Sequence, residues 1–93
     1  MDQLILFEVS HIKLIKENDV PYLIIDDWEL YDFVDDFLWD NFKLSTDGFV
    51  EHDLIENKVY QVYFESGVNE NNIVSALRKL DLEEVERIYK LNN

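Results

Sequence analysis

The chain contains no cysteine. That excludes a disulfide framework and a thiolate zinc site, and it suits a reducing compartment, so a cytoplasmic location is expected. Turn-breaking residues are scarce too, with 2 Gly and 1 Pro, which rules out a flexible low-complexity chain. Bases are outnumbered, 8 Lys and Arg against 21 Asp and Glu, for a net charge of −13. Nucleic acid and anionic membrane both require a cationic surface, so direct binding to either is not expected. No apolar run approaches the length of a membrane span. The start, Met1 to Glu8, lacks a basic region and meets an acid after a short apolar run, unlike a secretory signal.

What is present is hydrophobic. The composition is 47% hydrophobic and 14% aromatic, with six Phe, five Tyr and two Trp. An acidic disordered tail lacks such residues, so the chain reads as a globular protein. Its 93 residues suffice for a single domain, 1–93, with one core.

The charge is concentrated. Residues 17–57 hold thirteen acids against Lys43 alone, a net of −12, whereas residues 1–16 are neutral and residues 58–93 carry a net of −1. Asymmetry of this size bears on partners and solubility rather than on fold.

The pattern of elements predicts a small α+β domain of order ββαββαβ, with a mainly antiparallel sheet and two helices on one side. Gln3 to Lys16 reads as one strand whose apolar parity switches near Ser10-His11, as at a bulge or bend. Glu17-Asn18-Asp19 is a turn signal, and Val20 to Ile25 is a second strand, with Pro21 suited to a strand start or an edge. Asp26 or Asp27 caps a helix running to about Phe42. Ser45 to Gly48 reads as a turn, and Phe49 to Leu54 with Lys58 to Glu65 as a second hairpin around Glu56-Asn57. Glu70 to Leu80 is a short helix. The tail from Asp81 carries both signals: a capping box with Glu84 and helical charge pairs, against strand-like alternation of Val85, Arg87, Tyr89 and Leu91. The expectation is a final strand, with a helix as the alternative.

On the acidic helix, about 100° per residue places Leu30, Tyr31, Val34, Phe37, Leu38 and Phe42 on one face. Glu29, Asp32, Asp36 and Asp40 fall opposite, with Asp35 at their border. Carboxylates at i, i+4 and i+8 recur about every 6 Å along the axis, a repeat close to that of phosphates on a nucleic-acid strand. Like charges at this spacing repel, so a row without interleaved Lys or Arg is not tuned for helix stability. It reads either as a surface for Lys and Arg or as a solvated face of an acidic protein. Phe33 and Trp39 flank the row as anchors or as the rim of the core, and Trp28 reads as rim.

The run Asp36-Phe37-Leu38-Trp39-Asp40 locally resembles the acidic recognition helix of barstar-type ribonuclease inhibitors, which carries a Trp-Asp pair preceded by another Asp. The resemblance covers only this short stretch. The Tyr-Tyr-Gly and Asn pattern that precedes that helix is absent, and a hairpin stands where that fold has its first helix. It implies a similar type of surface and not membership in the family.

Other chemistry has little support. His11 and His52 are the only histidines; Glu51-His52-Asp53 has no spacing to a second His, and no calcium-loop pattern occurs. Ser10, Ser45, Ser66 and Ser75 lie in no nucleophile motif, and Gly48 and Gly67 make no phosphate-binding loop. No enzymatic activity, cofactor or metal is expected. The leading expectation is a small acidic inhibitor, as toxin-immunity or anti-defence proteins and nucleic-acid mimics are. It would block a basic surface on a nuclease or other nucleic-acid-binding protein through Glu29, Asp32, Phe33, Asp35, Asp36, Trp39 and Asp40. The alternative is an acidic accessory subunit, adaptor or homo-oligomer with no inhibitory role.

Overall fold

Five strands and three helices follow one another in a computed structural model that describes residues 3–55 and 57–92. The order is β1 (Gln3–Val9), β2 (Ile12–Glu17), β3 (Val20–Ile25), α1 (Trp28–Phe42), β4 (Thr46–Asp53), β5 (Lys58–Phe64), α2 (Glu70–Leu77) and α3 (Leu82–Asn92). The strands form a single antiparallel sheet in the order β1-β2-β3-β5-β4. The α+β class with a mainly antiparallel sheet is as the pattern predicted; the element order is not, being βββαββαα.

Two differences account for the change. The parity switch at Ser10-His11 is a chain reversal and not a bend: Val9 pairs with Ile12, and His11 takes a positive φ of 71°. A two-residue turn shifts the inward positions from odd to even, as a bulge does, so the sequence pattern alone does not separate them. The irregularity in β1 falls instead between Ile5 and Phe7.

The tail is a helix. Asp81 accepts from the backbone N–H groups of Glu83 and Glu84, at 3.0 and 3.4 Å. Val85 is buried and Ile88 packs against the core, the spacing of a helix face. The alternation that suggested a strand counted Arg87 and Leu91, both of which are exposed.

The hairpin between β2 and β3 forms where Asn18 and Asp19 stand, with φ of 52° and 65°. A two-residue turn of this hand needs both, and Asn and Asp tolerate it better than other side chains. Pro21 lies one residue before β3 begins to pair with β5 at Tyr22–Tyr63, so its missing N–H costs no bond to β5. Gly48 has a positive φ of 123°, but it sits at a register shift inside β4 and not in a turn. The chain reverses earlier, at Lys43, whose left-handed conformation sends its N–H to the carbonyls of Leu38 and Trp39. The turn read around Glu56-Asn57 falls partly on Glu56, outside the described residues; Leu54 N–H donates to the Asn57 carbonyl at 2.8 Å beside it.

One face of the sheet makes the core. Ile12 and Leu14, Leu23 and Ile25, and Tyr60 and Val62 alternate inward along β2, β3 and β5. They meet Leu30, Val34 and Leu38 of α1, Ile73, Ala76 and Leu77 of α2, Leu80, and Val85 of α3 in one apolar cluster. Lys16 of β2 reaches Glu70 of α2 at 2.8 Å, and that bond raises the lysine above its ordinary value. The opposite face carries Lys13, Ile15, Ile24, Gln61 and Tyr63, none of them buried.

Candidate functional site

Helix α1 begins where the Asp27 side chain accepts from the Leu30 N–H at 2.9 Å, satisfying one of the free donors of the first turn. Leu30, Val34 and Leu38, four residues apart, are fully buried. That contact fixes the rotation of the helix. Glu29, Asp32, Asp36 and Asp40 are consequently exposed on the opposite side.

None of these carboxylates forms an ion pair among the described residues. Among the described residues, Lys13 pairs with Glu8, Lys16 with Glu70, Lys58 with Glu51 and Arg87 with Glu84, and none engages the row on α1. The repulsion registers on Asp36, whose carboxyl is raised above its ordinary value. The charge of Asp32 is the largest cause, followed by desolvation and the charges of Asp40 and Asp35. Lys43, the lone base of residues 17–57, sits over the Trp39 ring instead, its Nζ 5.2 Å from the centroid.

The remaining expected site residues are divided. Trp39 is half exposed (50%) beside Asp36 and Asp40. Phe33 is partly buried against the core and stacks on Phe37, with centroids 6.5 Å apart. Asp35 points to the sheet side, where its carboxylate accepts from the Thr46 hydroxyl at 2.7 Å. The structure thus brings together Glu29, Asp32, Asp36, Asp40 and Trp39, and it turns Phe33 and Asp35 toward the body of the protein.

Two features go beyond the sequence pattern, which placed Trp28 only at the rim of the core. Trp28 packs edge-on against Tyr31, Phe49 and Tyr60 at 5.3 to 5.4 Å, yet remains 47% exposed, and Phe49 remains 41% exposed. Burial raises the phenols of Tyr31 and Tyr60, with Asp35 and Glu51 the next largest causes. This aromatic ledge joins α1 to β4 across a sequence gap, so no local pattern announces Phe49 as its member. The second feature is His11, whose ring stacks on Tyr89 at 3.5 Å. Its Nδ1 lies 3.3 Å from Asp26 and its Nε2 3.6 Å from Glu86. The pair signal was invisible because Asp26 and Glu86 are distant in sequence.

An open depression of about 580 Å³ beside His11 is lined by Ser10, Lys13, Ile24, Asp26 and Val59 among others. No group of three His, Cys, Asp or Glu among the described residues is placed to hold a metal ion. No helix among the described residues is long and apolar enough to cross a membrane.

Fold and site define an α+β protein in which α1 exposes a row of carboxylates with no ion pair among the described residues. Comparison with protein-family models, with curated proteins and with solved structures gives no match to this chain. The functional reading therefore rests on its own residues.

Proposed function

We propose that this protein is a small acidic inhibitor that occupies a basic, nucleic-acid-binding surface of a target protein, as toxin-immunity and anti-defence proteins do. The observation that supports this reading is the row of Glu29, Asp32, Asp36 and Asp40, exposed and without a basic partner among the described residues. Lys or Arg of the target takes the place of the missing counter-charges, and the half-exposed Trp39 receives a guanidinium or ammonium where Lys43 now lies. Inhibition is by occupancy, without turnover. The protein carries a field of one sign, so association is fast at low ionic strength and slows steeply with salt.

The test is capture of partners from a lysate of the source cell by the wild-type protein and by the triple variant Asp32→Lys, Asp36→Lys, Asp40→Lys, at low and high salt. The wild type is expected to retain a basic nucleic-acid-binding protein, to release it in high salt, and to block its activity. Retention of the same partner by the triple variant would sink the proposal. A captured partner whose activity is unchanged would favour instead an accessory subunit or adaptor.

A further inference from the structure

The sheet has two open margins, and the β4 margin has a particular chemistry. Among the described residues β4 pairs with β5 on one side only, and its residues from Asp47 to Asp53 are all exposed. From Phe49 to Asp53 the register with β5 is unbroken, Phe49 opposite Val62 through Asp53 opposite Lys58. The bulge that would twist the edge away is confined to the other end, between Thr46 and Gly48. A run of this kind leaves backbone donors and acceptors in position for one more strand.

Side chains on this run select what can be added. Phe49, Glu51 and Asp53 alternate onto the helix side of the strand. Phe49 there forms a half-exposed ledge with Trp28, centroids 5.4 Å apart. Glu51 and Asp53 stand next to it, with Lys58 reaching Glu51 only at 3.6 Å on the exposed surface. A second copy of the same strand would set carboxylate against carboxylate, and like charges opposite one another destabilise a strand pair. Two copies also bring −13 each. The edge therefore opposes its own copy and is complementary to a strand of opposite charge.

We propose that the free margin of β4 accepts an extended basic segment of a partner protein as a sixth strand. Lys or Arg of that segment stands opposite Glu51 and Asp53, and one apolar or aromatic residue rests on the Trp28–Phe49 ledge. The proposal rests on the acidic-surface reading for the sign of the partner's charge, but it uses a different element. Asp35, bound to Thr46 at the start of β4, links the two surfaces.

The probe is the peptide Thr-Lys-Thr-Lys-Thr-Phe-Thr, followed by amide shift changes in the full-length protein. It is compared with the same peptide N-methylated at alternate backbone amides on either edge, and with its Lys-to-Glu counterpart. Binding is expected with shifts centred on residues 49–53 and the Trp28 indole. N-methylation of one edge should weaken it about tenfold or more, and the acidic peptide should not bind. The double variant Glu51→Lys, Asp53→Lys should lose binding. Should that variant fold poorly, Glu51→Gln with Asp53→Asn serves in its place and should weaken it.

Four results would each overturn the strand inference: no binding by the wild type, equal binding of the peptides N-methylated on either edge, shifts confined to α1, or self-pairing of β4 seen as concentration-dependent broadening. The triple reversal on α1 separates the two proposals. It leaves β4 intact, so peptide binding that persists while target capture is lost places each function on its own element.

Discussion

Helices α1 and α3 carry acids of similar density and treat them oppositely. On α3, Glu84 is paired with Arg87 one turn away, and Glu86 faces His11 at 3.6 Å. The acids Glu83 and Glu84 stand in its first turn and Lys90 in its last, the arrangement that complements a helix dipole. On α1 a single acid, Glu29, stands in the first turn and no base in the last, while Asp32, Asp36 and Asp40 follow one another with no ion pair among the described residues. Charge on α3 contributes to holding the helix. The Asp32, Asp36 and Asp40 row works against α1, which persists because Leu30, Val34 and Leu38 are fully buried and Asp27 caps its start. A helix held by its buried apolar face and its caps is free to present a surface that side-chain charge alone would reject, which is the physical basis for proposing a partner there.

The contrast makes graded predictions. The largest effect belongs to the apolar face: Leu38→Ala should cost about 2–5 kcal/mol in chemical denaturation, the usual loss for a buried leucine. A cost within that of a surface substitution would show that the core face is not what holds α1. Next comes the cap. Asp27→Ala should cost about 0.5–2 kcal/mol in the same measurement, because the Leu30 N–H loses its acceptor.

The charge effects are smaller and should differ in sign between the two helices. Arg87→Ala, which unpairs Glu84, should lower the melting temperature by roughly 1–2 °C. Asp36→Asn should raise it by a similar amount, roughly 1–2 °C, at neutral pH. The raised carboxyl of Asp36 binds its proton more tightly in the folded chain than in the unfolded one. Its ionised form therefore destabilises the fold above the raised value, and the penalty is absent below the ordinary carboxylate range. The gain from Asp36→Asn should accordingly vanish in thermal melts at about pH 3, below the unperturbed aspartate value. A gain that persisted there would assign the effect to something other than repulsion by Asp32 and its neighbours.

Much of α1 was legible because every signal on it is local. The cap, the four-residue apolar spacing and the opposed acids all lie within a few turns. The Asn18-Asp19 hairpin and the placement of Pro21 were legible for the same reason. The first hairpin was not, since a two-residue turn and a bulge shift side-chain parity alike, and His11 gives no sign that it will take a positive φ. The final helix ranked second to a strand because its apolar residues, Val85, Ile88 and Tyr89, overlap an accidental alternation with Arg87 and Leu91. Of the site, the exposed row and Trp39 could be projected from the helix, whereas the turning of Asp35 to Thr46 depends on where β4 lies. The Trp28–Phe49 ledge is a contact across the fold and leaves no trace in either segment alone.

Carboxylate footprinting of the complex with the captured partner tests the central claim most directly, by carbodiimide labelling with the free protein as reference. Glu29, Asp32, Asp36 and Asp40 should lose most of their labelling in the complex, while Glu83 on α3 keeps its own. Unchanged labelling of the α1 row, with protection elsewhere, would contradict the assignment of this helix as the binding surface.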